Sequence, residues 1–125
     1  YENELIQVIM NILNNAKDEL EKVQEYKTRY ICIDVYKAEK NMIIKIKDSA
    51  GGIPDDIIDR IFEPYFTTKH QSQGTGIGLY MSEEIVTKHL DGEIIVSNEQ
   101  SIFDNNSYKG AQFIISIPLD DENKL

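Results

Sequence analysis

The chain has 125 residues, with 22 acidic against 13 basic side chains and a net charge of −9. That balance excludes nucleic acid as a partner, because a phosphate backbone needs a basic face. An acidic domain still takes a nucleotide where a divalent cation bridges the like charges. A hydrophobic fraction of 41% suits one packed core and excludes a disordered chain.

The only cysteine, Cys32, excludes an internal disulfide and fits a reducing cytosol. Its apolar neighbours predict a buried thiol. No run approaches the roughly 18 apolar residues of a membrane helix, and no signal peptide is present. Residue 1 is Tyr rather than Met, so upstream sequence, with room for a membrane anchor, is expected.

In chain order, Glu4 to about Glu25 reads as an amphipathic helix. Leu5, Ile9, Ile12, Leu13, Ala16, Leu20 and Val23 fall on one stripe. Tyr30 to Tyr36 alternates, with Ile31, Ile33 and Val35 on one face. Met42 to Asp48 does the same with Met42, Ile44, Ile46 and Asp48. A short polar link around Glu39 to Asn41 joins these strands as a hairpin.

Asp55 to Ile61 reads as a short helix that Pro54 precedes and Asp55 caps. Glu63 to Gly76 is a polar loop apart from Tyr65 and Phe66, and Phe62 and Phe66 are placed to anchor it to the core. Helical spacing returns from Ile77 to Leu90, with Gly92 near a C-cap. Gly92 to Asn98 and Gln112 to Pro118 read as strands, joined by a polar turn over Glu99 to Gly110. The order predicts an α+β fold: a two-layer sandwich with a mostly antiparallel sheet and helices on one face. Residues 1–119 form the domain, and 120–125 an acidic tail.

Four segments carry chemistry. Asn11 and Asn15 share a helix face with Asp18 close by. Amide and carboxylate oxygens in a row are hard ligands suited to Mg²⁺, which keeps waters and borrows phosphate oxygens. Taken alone, the stripe also reads as a solvated helix face. Asp48 ends a strand on its apolar face, where a buried carboxylate needs a donor. A purine amino group is such a donor, and a turn-forming Asp is the plainer alternative. Gly51 and Gly52 then let the backbone approach a flat ring.

Lys69 and His70 lead through an apolar-free stretch that is expected to be a mobile lid. It runs into Gly74-Thr75-Gly76-Ile77-Gly78-Leu79, where alternate glycines open a helix. Backbone N–H groups at such a start suit phosphates, although a plain hinge fits the same glycines. The spacing matches neither the dinucleotide fingerprint nor the Walker loop. His70 and His89 receive no role.

In this order the segments resemble the Bergerat-type ATP site of the histidine kinases. Gln7 to Ala16 resembles the N box, and Asp48 to Gly52 the first glycine box. Phe62 to Phe66 resembles the F box, and Gly74 to Leu79 the second glycine box. Gly110-Ala111-Gln112-Phe113 with Ile117-Pro118 is similar to the closing strand. The match covers almost the whole chain. The Asn-Ala-Lys-Asp-Glu-Leu run resembles the nitrogen-regulation-type branch more than the commonest one.

The resemblance implies ATP and Mg²⁺ as cofactors. Asn15 would ligate the metal, with Asn11 supporting metal and phosphates. Asp48 would accept from the adenine amino group, with Gly52 and Ile53 against the ring. Lys69 and the segment Gly74, Thr75, Gly76, Ile77, Gly78 and Leu79 would hold phosphates. Asp18 stands where relatives often carry Lys or Arg, Glu19 where an aromatic often covers the adenine, and Ala111 where a Thr often helps a water bind it. Relatives usually place a strand before the N box, so the sheet is expected to lack an edge strand.

The fold also resembles topoisomerase, mismatch-repair and heat-shock chaperone ATPases, which use a first-helix Glu to serve the attacking water. Asn11 occupies that position, and an amide is no general base at neutral pH. The implied activity is therefore γ-phosphate donation to a histidine on a separate phosphoacceptor and dimerisation domain, with a response regulator downstream. The motif of that acceptor, His-Glu with a nearby Pro, is absent, so the isolated chain is expected not to label itself. An anti-sigma-factor-type serine kinase and a nucleotide-binding module without transfer activity are the alternatives.

Overall fold

The computed structural model describes residues 2–66 and 77–119. It contains helix α1 (Glu2–Leu20), strands β1 (Ile31–Ala38) and β2 (Asn41–Asp48), helix α2 (Gly78–Glu84), and strands β3 (Glu93–Phe103) and β4 (Asn106–Pro118). The sheet order is β1-β2-β4-β3, and every pairing is antiparallel. The α+β expectation, with helices on one face of an antiparallel sheet, holds.

Helix α1 buries Val8, Ile12, Ala16 and Leu20, each one turn from the last. They meet Ile44 and Ile46 of β2, Ala111, Phe113, Ile115 and Ile117 of β4, and Ile94 of β3. Register aligns these side chains: Ile44 and Ile94 both face Ile115, and Ile46 faces Phe113. Ile12, Ile44 and Ile115 are fully buried, and each such side chain contributes about 1.5–3 kcal/mol. Among the described residues, no helix is long and apolar enough to cross a membrane.

Several elements differ from expectation. Helix α1 stops at Leu20 rather than near Glu25. The chain tightens there, with Lys22 and Val23 N–H donating to Glu19 and Leu20 carbonyls. The Arg29 guanidinium then donates to the Glu21 and Val23 carbonyls, serving backbone acceptors just past the helix end. Asp55 to Ile61 is a turn followed by a 3₁₀ turn over Ile58–Arg60, nucleated by the Pro54 carbonyl, which accepts from Ile57 and Ile58.

The second long helix is α2 followed by a π turn, Ile85–His89. Leu90 N–H reaches back to the Ile85 carbonyl. The residue that turns left-handed after it is Asp91 (φ 55°) rather than Gly92. Gly92 serves closeness instead: a Cβ there would lie 2.3 Å from the Ser116 carbonyl oxygen.

The expected polar turn over Glu99 to Gly110 is a continuous hairpin. Pairing runs to Phe103↔Asn106, closed by Asp104 and Asn105 at φ 52° and 67°, the left-handed pair a tight hairpin needs. Tyr30 stacks on Phe103 at 5.0 Å, which ties this projecting tip to the entry of β1.

Strand β1 is the edge. Ile31, Ile33 and Val35 lie opposite Asp48, Ile46 and Ile44, so they share the core face, yet all three are exposed. Cys32 is on the other face and half-buried, not the buried thiol expected from its neighbours.

Candidate functional site

The site gathers at the end of β2. Asp48 is 6% exposed. Its Oδ1 accepts from the Ala50 N–H at 2.9 Å and the Ala111 N–H at 3.2 Å. Burial pushes the carboxyl above its ordinary range; the two N–H bonds oppose this, and the nearby Glu19 carboxylate adds to it. Both backbone donors hold one oxygen, which leaves Oδ2 as the acceptor for a ligand. Such a carboxylate is costly to bury unless a donor meets it.

The residues after Asp48 are fixed tightly. Buried Ser49 donates from Oγ to the Thr28 carbonyl at 2.6 Å and accepts the Tyr30 N–H at 2.8 Å. Gly51 and Gly52 both take positive φ, 98° and 92°, which glycine adopts without steric cost. The Gly51 N–H donates to the Lys109 carbonyl at 2.9 Å. The Ile53 peptide is held on both sides by Asn98: its N–H donates to Oδ1, and its carbonyl accepts from Nδ2, each at 2.7 Å. Ile53 itself packs against the core.

On α1, the Asn11 Nδ2 donates to the Gly78 carbonyl and to the Ser82 Oγ, both at 3.1 Å. Its Oδ1 accepts from Gln7. Asn11 therefore joins α1 to the start of α2 through Ser82, which is fully buried. Asn15, one turn on, is half-buried, and its carboxamide has no hydrogen-bond partner among the described residues. Asp18 is half-buried on the same helix.

Ile77 precedes α2, and no side chain caps that helix. Gly78 opens it, and Leu79 packs on the core. Phe62 and Phe66 also pack on the core, Phe62 edge-on against Phe113, as their spacing suggested. Lys69, His70, Gly74, Thr75 and Gly76 lie outside the described residues. His89 pairs with Glu4 across the helix layer.

Three contributors were missed in the sequence. Asn98 and Lys109 act on the glycine loop from a hairpin that read as a turn. Gly110 read only as part of a strand motif, but it lies against the Asp48 backbone with no room for a side chain. Glycine in mid-strand was the available signal, since it marks close backbone approach.

Residues 1–121 match the model of the family described as "Histidine kinase-, DNA gyrase B-, and HSP90-like ATPase". The two-component sensor PprA of Pseudomonas aeruginosa is 34% identical over 119 residues, which are 94% of this chain and 12% of that protein. Sporulation kinase E of Bacillus subtilis is 34% identical over 117 residues, 94% of this chain and 14% of that protein. The chain thus spans a small part of these relatives. Among solved structures, the catalytic domain of histidine kinase ThkA in a nucleotide-free form superposes with a TM-score of 0.71 at 30% identity, covering 93% of this chain and 66% of that one. With this fold, and with Asp48, the paired glycines and Asn15 arranged around one end of the sheet, the chain belongs to the histidine kinase-, DNA gyrase B- and HSP90-like ATPase family.

Proposed function

We propose that this chain is the ATP-binding catalytic domain of a two-component sensor histidine kinase. It donates the γ-phosphate of Mg-ATP to a histidine on a separate phosphoacceptor and dimerisation domain. The observation that carries the adenine site is the Asp48 carboxylate: buried, with Oδ1 held by two backbone donors and Oδ2 left for the adenine amino group. Gly52 and Ile53 lie beside it and line the ring.

Asn15 fits a Mg²⁺ ligand, because its carboxamide is uncommitted and this ion needs only one or two protein oxygens beside phosphates and water. Bound there, the ion neutralises phosphate charge. Asn11 holds α1 against α2 and so fixes where Asn15 and Gly78 stand relative to each other. Lys69, Gly74, Thr75, Gly76 and the backbone of Ile77 to Leu79 hold the phosphates in this reading, with Asp18 nearby. No general base is required: catalysis is positioning plus charge neutralisation, and the acceptor histidine is the nucleophile.

The parent protein dimerises through the phosphoacceptor helices, passes its phosphoryl group to a response regulator, and holds this domain in the cytoplasm. Named two-component sensors and kinases among the relatives support that assignment. Calorimetric titration with ADP tests the site. The wild-type chain is expected to bind ADP, and Asp48→Asn to lose it. Equal affinity in the two proteins contradicts the adenine role.

A further inference from the structure

We propose that Asn98 is a positioning residue for adenine recognition. Its carboxamide clips the Ile53 peptide to β3 and so sets Gly51 and Gly52 at a fixed height beside the Asp48 carboxylate. The inference rests on the adenine reading above.

The loop from Asp48 to Ile53 is anchored at three points, all on one stretch of the β3–β4 hairpin. Asp48 Oδ1 takes the Ala111 N–H. Gly51 N–H reaches the Lys109 carbonyl. Ile53 N–H and C=O both meet Asn98 at 2.7 Å. Asn98 and Ala111 are register partners, so one rung of the sheet holds both ends of the loop.

Only a carboxamide completes the third anchor. It must accept from an N–H with one atom and donate to a carbonyl with the other. Asp lacks the donor. An apolar side chain leaves both Ile53 groups without these partners, at a cost. The fit also accounts for Gly52: a Cβ there would lie 2.8 Å from Asn98 Oδ1 and 3.2 Å from Lys109 Cε. The Asn98 carboxamide occupies the space a side chain would need. Two successive glycines are otherwise free to adopt many conformations. Asn98 removes that freedom during folding, so the ligand meets a loop already ordered.

The test is calorimetric titration of the chain with ADP and with GDP, alongside thermal melts, for wild type, Asn98→Ala, Asn98→Asp and Asp48→Asn. GDP is the comparison because guanine carries an oxygen where adenine carries the amino group that Asp48 accepts from. Asn98→Ala is expected to weaken ADP about tenfold at unchanged stoichiometry. GDP binding changes less, so the ADP-over-GDP preference shrinks. Asn98→Asp keeps the volume and the acceptor, and is expected to fall between wild type and Asn98→Ala. It decides alone if the alanine variant does not fold.

A purely structural role lowers the melting temperature but leaves the affinity of the folded protein and its ADP preference unchanged; that result overturns the inference. The outcomes also separate the two levels. If Asp48→Asn binds ADP like wild type, the adenine reading fails and this inference with it. If Asp48→Asn loses ADP while both Asn98 variants bind normally, only the role of Asn98 fails.

Discussion

Gly110 and Asp48 are packed backbone to backbone: a Cβ on Gly110 would stand 1.6 Å from the Asp48 carbonyl oxygen and 2.9 Å from its Oδ1. No rotamer change relieves that approach, because the obstructing atom belongs to the main chain. Gly110→Ala is therefore expected to push the end of β2 away from β4. The cost is about 1–3 kcal/mol, as for other overpacked sites, together with a large loss of ADP affinity. Denaturant melts and calorimetry check both, and unchanged ADP binding contradicts the seat assigned to Asp48.

Asp48→Asn is expected to separate binding from folding. The amide Oδ1 still accepts from Ala50 and Ala111, so the loop keeps its anchors. The group facing the ligand becomes a donor, and ADP affinity falls at least about tenfold. Stability is expected to hold or rise, because a buried charge is removed. Melting temperature and ADP titration on the same sample read both effects.

Burial raises the Asp48 carboxyl above its ordinary value, with Glu19 adding to the shift. The folded state therefore disfavours ionisation. Stability is expected to fall as pH rises from the ordinary carboxylate range through the raised value. Nucleotide affinity runs the opposite way: it falls as pH drops through the same window, because a protonated carboxyl meets the adenine amino group with its own proton. Asp48→Asn lacks this contribution to both curves. Wild-type and variant profiles of parallel shape contradict the assignment.

Asn11 donates to the Gly78 carbonyl and to buried Ser82. Asn11→Ala removes both bonds and is expected to cost about 1–2 kcal/mol. Asn11→Asp is expected to cost more, because it sets a carboxylate against the Gly78 carbonyl. Urea unfolding of the three proteins checks that order, and an aspartate variant more stable than the alanine variant contradicts the contact.

What the sequence made legible follows from where the core lies. The α1 stripe and the β2 alternation face one packed interface, so their periods match the burial of Val8, Ile12, Ala16, Ile44 and Ile46. Phe62 and Phe66 were readable as anchors for the same reason. The outer half of the β3–β4 hairpin was not, because it projects beyond the helix layer and leaves Ile102 exposed. Its best clue was the Asp104-Asn105 pair, both suited to left-handed turn positions. The end of α1 depended on Arg29, and the hold on Ile53 depended on Asn98. Neither contact leaves a local pattern. Asp48 and its glycines were visible because their chemistry is packed into five residues.

The central claim is phosphoryl donation to a histidine in trans. The most direct measurement incubates this chain with γ-labelled ATP, Mg²⁺ and the helical phosphoacceptor domain of the same kinase, with the chain alone as control. The account predicts acid-labile, alkali-stable label on the acceptor histidine, none on the chain alone, and none with Asp48→Asn. Label on the isolated chain, phosphoserine on the partner, or no transfer from a chain that binds ATP contradicts it.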